Sequence, residues 1–226
     1  MKKLSVVLLL LLLNASFILS QSDSSIPPLA KAVAENYGID SWAKVKSVDF
    51  TFNVKNDKVH AERGWKWQPH KSIVQFSGKD QNGKDTVITY NRKDLNSKDP
   101  YVTSVDKRFI NDSYWLLFPF HLLWDKNVVI TDEGTREFPI SHKNGRSLQV
   151  RYTNNIGYTP NDVFILFLDD HNMIKEWIYR PGGSKEKQRI YTWQDNKNYG
   201  GITISTIHNG ADGKSKVWFT NIAISD

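Results

Sequence analysis

Between Val48 and Val54 apolar and polar residues alternate: Val48, Phe50, Phe52 and Val54 fall on one side, Asp49, Thr51 and Asn53 on the other. A period of two predicts an antiparallel strand with one buried face. Lys55-Asn56-Asp57-Lys58 makes a turn, and alternation resumes over 59–68 with Trp65 and Trp67 on one face, closed by Pro69-His70. Residues 73–76 and 86–90 read as two more short strands, with the turn residues Asp80, Asn82 and Gly83 between them. Before this block the spacing is helical (Leu29, Ala32, Val33, Tyr37), and Gly38 stands where a helix stop belongs. Residues 106–124 break the strand rhythm with a dense apolar run. Pro119 lies inside it and predicts two short helical pieces or one kinked helix.

Strands return at 128–131, 147–152, 163–168, 173–179, 189–193, 202–207 and 217–224. Turn residues separate nearly all of them, among them Lys143-Asn144-Gly145, Asp169-Asp170-His171-Asn172, Pro181-Gly182-Gly183 and Asn196-Lys197-Asn198. Hairpin after hairpin, without alternating helices, predicts a mainly β, α+β fold. About eleven strands would curl one long antiparallel sheet into an open half-barrel. The N-terminal helix and the insert around 106–124 are then expected to cover its concave face. No internal repeat or linker is visible, so a single domain over 21–226 is expected.

The first residues predict an exported chain. Lys2 and Lys3 precede an apolar run over 4–19, and Ser20, Gln21, Ser22 and Asp23 follow at once. This is the layout of a signal peptide, residues 1–20, cleaved near Ser20. A spanning helix needs about 20 apolar residues, and Asn14 and Ser16 interrupt this shorter run. No stable membrane span is expected. Without Cys there is no thiol for a lipid anchor, a disulfide or a thiolate metal site. A chain of 226 residues is long enough to stand on its core alone.

The charge of +6 is spread evenly, and no basic stripe appears. No nucleic-acid partner is expected. Candidate chemistry is equally sparse. His60 and Glu62 share a strand face and could hold a metal, but a solvated face explains them better. Asp169-Asp170-His171-Asn172 reads as turn chemistry. Asp132-Glu133 are adjacent and diverge, which does not suit paired carboxylates. Pro181-Gly182-Gly183-Ser184 reads as an exposed hairpin tip rather than a ligand clamp. Asn111-Asp112-Ser113 matches a glycan acceptor, yet before an apolar run it reads as a helix cap. There is no nucleophile elbow, zinc motif or phosphate loop. Hence no catalytic residue, no metal and no cofactor are expected, and the protein is read as a non-enzyme.

Eight Trp, nine Tyr and eleven Phe are the remaining signal. The piece from Trp115 to Phe120 is apolar all round, whereas a surface helix carries an apolar stripe about 100° wide. It must be enclosed by protein or meet an apolar ligand. A curved sheet lined by Phe50, Phe52, Trp65, Trp67 and Trp193 would face Trp115, Leu116, Phe118 and Phe120 across a hydrophobic cavity. Pockets for acyl chains are built that way.

An exported domain with this order of elements resembles the LolA/LolB-like superfamily. Two segments carry the resemblance: Gly64-Trp65-Lys66-Trp67-Gln68-Pro69-His70, in the slot of that family's second strand, and Tyr114-Trp115-Leu116-Leu117-Phe118-Pro119-Phe120, similar to an aromatic–Leu–Pro–aromatic segment of related secreted proteins. The resemblance implies an open β-barrel capped by helices, without catalytic residues. It also implies a periplasmic or secreted location in a Gram-negative envelope. The expected partner is a hydrophobic small molecule or lipid moiety carried by a monomer. An envelope protein bound by an interaction or sensor module is the alternative. An enzyme using the same cavity is the third.

Overall fold

The structure, a computed structural model, describes residues 26–95, 99–153 and 160–226. The signal peptide expected over 1–20 lies outside the described residues. Helix α1 (Pro28–Asn36) starts on Pro28 and ends where Gly38 takes φ 89°. A Cβ at Gly38 would stand 1.9 Å from the carbonyl oxygen of Gly201. Left-handed backbone and close approach together demand glycine there. Four strands follow: β1 (Ser47–Lys55), β2 (His60–Gln68), β3 (Ile73–Lys79) and β4 (Asp85–Asn91). Next comes the long helix α2 (Pro100–Trp124). Then come β5 (Val128–Glu137), β6 (Asn144–Tyr152), β7 (Val163–Leu168), β8 (Ile174–Arg180), β9 (Arg189–Thr192), β10 (Gln194–Tyr199), β11 (Ile202–Asn209) and β12 (Lys216–Ser225).

The fold is mostly β, antiparallel throughout and not closed. The single sheet that was expected is divided into two by its hydrogen bonding. The first sheet has the order β10-β11-β12-β1-β2-β3-β4, the second β5-β6-β7-β8-β9. The division falls at Trp193. Strand β9 pairs with β8, the chain turns through Asp195 at φ 58°, and β10 pairs with β11. One isolated bridge, Tyr191 to Gly210, joins the two sheets. Asn196-Lys197-Asn198, expected as a turn, lies within β10. As an edge strand β10 needs no apolar face, so the period that marks the others is missing.

Register converts the sequence pattern into a core. In the first sheet Phe50 stands opposite Trp65, Trp65 opposite Phe76 and Phe76 opposite Ile88, which makes one row across four strands. In β7 every residue is buried. Phe164, Leu166 and Leu168 join the main core between the sheets and helices, whereas Val163, Ile165 and Phe167 join a smaller cluster on the far face with Phe138 and Ile178. A strand buried on both faces reads as a continuous apolar run.

Helix α2 is longer than the expected insert and begins at Pro100, with Asp99 as its cap. The Tyr101 amide donates to Asp99 Oδ1 at 2.8 Å. Asn111-Asp112-Ser113 therefore does not cap a helix start but sits inside α2. The expected kink is present: Leu117 has φ −127° and ψ 25°, two residues before Pro119. Among the described residues no helix is long and apolar enough to cross a membrane.

Candidate functional site

Helix α2 presents different chemistry to its two sides. Toward the first sheet it carries Asp106, Phe109 and Asp112. Arg63 on β2 donates to Asp112 through Nε and Nη2, each at 2.7 Å, and Trp65 Nε1 donates to the same carboxylate at 2.9 Å. Burial pushes the Asp112 carboxyl up, against the opposing pull of the Arg63 guanidinium. One turn and a half earlier, Arg92 Nε donates to Asp106 at 2.8 Å and Tyr90 donates its hydroxyl at 3.0 Å. Phe109 lies between the two carboxylates and packs edge-on against Trp65 and Trp67, each at 5.4 Å between ring centres.

The opposite stripe of α2 consists of Lys107, Ile110, Asn111, Tyr114 and Trp115, spaced as one helical face. It borders a cavity of about 380 Å³ whose other walls are Phe164, Trp177 and Tyr179 of the second sheet, with Pro160 and Asp162. Half of the lining residues are aromatic, and Lys107, Asn111 and Asp162 bring polar groups to the walls. Asp162 is held in place because Tyr179 donates its hydroxyl to Oδ2 at 2.8 Å and the Gly182 amide donates to Oδ1 at 2.7 Å. Ring stacking stiffens this wall: Phe164 lies on Tyr179 at 4.8 Å with 14° between planes.

Below the cavity the helix is tied to the second sheet through Asp125, the residue that follows its last turn. Tyr114 and Tyr152 donate hydroxyls to Asp125 Oδ2 at 2.7 and 2.5 Å, and His121 Nδ1 lies 2.9 Å from Oδ1. Burial raises the Asp125 carboxyl, but the contacts with His121, Tyr152 and Tyr114 outweigh it and hold it below its ordinary range. Burial beside Tyr114 and Asp125 pushes the Tyr152 hydroxyl far up, so it stays a donor.

Of the nine residues expected to line a cavity, Trp115 alone lines this one. Phe50 and Phe52 pack on Phe219 at 6.0 and 5.7 Å. Trp65 packs on Phe76 at 5.0 Å, and Trp67 on Trp42 at 5.3 Å. Phe118 turns to Phe164 and Trp177, while Phe120 turns the other way to Trp42 and Trp124. Leu116 is buried in the main core, and Trp193 packs between Trp177 and His208.

The other candidates fall where turn and surface chemistry put them. His60 and Glu62 are exposed on β2. Asp169 Oδ1 accepts from the amides of His171 and Met173, a turn held by its own side chain. Asp132 pairs with Arg146 and Glu133 with Arg136. Among the described residues no three His, Asp or Glu side chains gather as a metal site requires.

Sequence reasoning missed Ile110, Asn111, Lys107 and Tyr114 as cavity residues, and Phe164, Trp177 and Tyr179 opposite them. The helical spacing of 107, 110, 111, 114 and 115 was a usable signal, but the dense apolar run after Tyr114 drew attention away from it. Nothing local could have paired Arg63 with Asp112, forty-nine positions apart.

No protein-family model matches the chain, and no curated protein matches it. Among solved structures it is similar to a DUF1329 family protein from Desulfovibrio piger ATCC 29098, with 9% identity and a TM-score of 0.41 over 87% of this chain and 93% of that one. It is also similar to the Mycobacterium tuberculosis lipoprotein LppX, with 9% identity and a TM-score of 0.30 over 86% of this chain and 94% of the other. Values this low mark a loose likeness of arrangement and nothing finer.

Proposed function

We propose that the protein is an exported, LolA/LolB-like, non-catalytic carrier or binding protein for a hydrophobic ligand, a lipid or acyl chain, working as a monomer in the periplasm. The observation that supports this reading is the cavity between α2 and the second sheet. Its volume of about 380 Å³ falls within the range of small-molecule sites. Aromatic walls with a few polar groups suit an apolar body with one polar end. Burying about 200 Å² of acyl chain at roughly 25 cal/mol/Å² yields on the order of 5 kcal/mol before the cost of ordering. Trp115, the one expected site residue on the cavity wall, is the side chain we assign to ligand contact, with Tyr114, Trp177 and Tyr179 beside it.

Native mass spectrometry of the full chain, purified from the cell envelope that produces it, tests the reading. Bound lipid supports the carrier. A bound polypeptide with an empty cavity supports the interaction module instead, and a chemically altered small molecule supports an enzyme.

A further inference from the structure

The second sheet carries another hollow on its far face, with chemistry unlike that of the first. Strand register places it. Arg151 on β6 stands opposite Val163 on β7, and Val163 stands opposite Arg180 on β8. Residues in one such row project from the same face, so the two arginines flank the valine, with backbones about 10 Å apart. The neighbouring pair, Phe164 and Tyr179, projects from the other face and lines the apolar cavity. The far-face hollow measures about 510 Å³, and Arg136, Arg151, Arg180 and Lys185 all line it. Val163 and Ile165, both buried, give it an apolar floor.

Charge in this groove is not balanced. Against its four cations stands one lining carboxylate, Glu133, 3.7 Å from Arg136 Nη1. Arg180 engages its Nε with Gln188 Oε1 at 3.2 Å, and Arg151 makes no hydrogen bond or ion pair among the described residues. Glu186, next to Lys185 in the chain, accepts from Ser184 Oγ at 2.7 Å and does not line the groove. Cations gathered in a concave surface attract an anion to it. The planar guanidinium matches phosphate with two parallel donors and is weakly hydrated, so it meets phosphate directly. The floor narrows the choice further. A free phosphate ion has no use for Val163 and Ile165, whereas a phospholipid headgroup brings glycerol and ester carbons with its phosphate. Long, exposed side chains around an open groove also suit a broad charged surface better than an enclosed ion.

We propose that this groove docks the protein on an anionic phospholipid surface, with Arg151 and Arg180 holding a headgroup phosphate over Val163. Arg136 and Lys185 add to the attraction. The proposal stands on the groove alone and does not depend on what the cavity across the sheet holds. Each basic residue at such a surface contributes about fivefold in affinity, and the attraction is screened within a Debye length of about 10 Å at 0.1 M salt.

The test is cosedimentation of the purified full chain with vesicles of phosphatidylcholine alone and of phosphatidylcholine mixed equally with phosphatidylglycerol. The expected result is binding to the mixed vesicles only, lost in high salt. Arg151→Gln with Arg180→Gln should weaken it about tenfold or more. Lys71→Gln with Lys93→Gln, exposed positions beside the first sheet, removes the same net charge and should change it by less than about twofold. Should the arginine variant not fold, Lys185→Glu reverses one exposed charge at the groove and should weaken binding by a similar factor. Equal losses in the groove and lysine variants would assign the attraction to net charge and overturn the groove. Binding to neither vesicle, or to both alike, overturns it as well. Inorganic phosphate raising the melting temperature above that in chloride of equal ionic strength, while vesicles go unbound, would make the groove a site for the soluble ion and overturn lipid docking. The acyl-probe titration of the cavity is read separately, so either reading can fail while the other stands.

Discussion

Helix α2 is held to its two sheets by unlike means. Against the first sheet, Asp106 and Asp112 are fully buried and each meets an arginine, Arg92 and Arg63, with Phe109 wedged between them. Against the second sheet the contacts are rings and hydroxyls, and a hollow of about 380 Å³ remains. Buried charge-assisted bonds tolerate little displacement, because a separated pair leaves an uncompensated charge in an apolar setting. Aromatic contacts lose little when rings slide. The first-sheet side of the helix is thus pinned by two buried ion pairs, and the second-sheet side by the Asp125 contacts at its C-terminal end, with the hollow left between the remaining rings. That asymmetry is what a binding protein needs if its framework is to stay put while a ligand enters.

Breaking the fixed side has the largest expected effect. Asp112→Ala leaves Arg63 and Trp65 Nε1 without their shared acceptor and should cost about 3–5 kcal/mol in urea unfolding. Replacing both partners with apolar side chains, Asp112→Leu with Arg63→Met, should recover most of that loss, because no charge is then stranded. A single replacement costing under about 1 kcal/mol would erase the difference between the two sides.

The two aromatic residues on either side of the kink sharpen the comparison. Phe118 is fully enclosed by Phe164, Trp177 and their neighbours, so Phe118→Ala should cost about 3–5 kcal/mol. Trp115 borders the cavity, and its ring also packs on Trp177, Tyr191 and His208. Trp115→Ala should cost at least about 1 kcal/mol less than Phe118→Ala, in spite of its larger ring. Equal losses would mean that Trp115 is ordinary core.

The smallest effect lies at the joint between the sheets. His208 is buried and neutral, its imidazole lowered by burial from 6.5 to about 3. Its unfolded form takes up a proton below 6.5 and its folded form does not. Stability is therefore full above 6.5 and falls as pH drops through that value toward 3, at up to about 1.4 kcal/mol per pH unit. Unfolding curves at pH 6.5 and at about 5.5 should show a loss close to 1 kcal/mol that His208→Phe lacks. An equal slope in both proteins would show that His208 is not sealed from water.

The strands were legible because a half-buried strand must alternate. Residues 163–168 were placed to the residue, since a run with no polar break suits a strand buried on both faces. The kink was legible because Pro119 lacks an amide and its ring collides with the preceding turn. The division into two sheets was not, because it depends on left-handed backbone at Asp195, and a single Asp is too common elsewhere to mark a break. Strand β10 was hidden by its polarity at the sheet edge. For the site, the sequence pointed to α2 and to Trp115, which borders the cavity. It named both Phe118 and Phe120 as lining residues, although side chains two apart on a helix point to opposite sides. The ion pairs escaped because each joins residues from distant elements, and a lone Asp inside an apolar helix looks like a cap until its partner is seen.

The central claim is that the hollow between α2 and the second sheet takes an apolar ligand. Ile110, half-buried on the cavity wall, is the place to fill it. The measurement is a titration of a fluorescent acyl probe against the unmodified chain and against Ile110→Trp, with melting curves of both. The account predicts saturable binding to the unmodified protein, affinity weakened about tenfold or more in Ile110→Trp, and no loss of melting temperature in the filled variant. Equal probe binding by the two proteins, or no binding by the unmodified one, would contradict it.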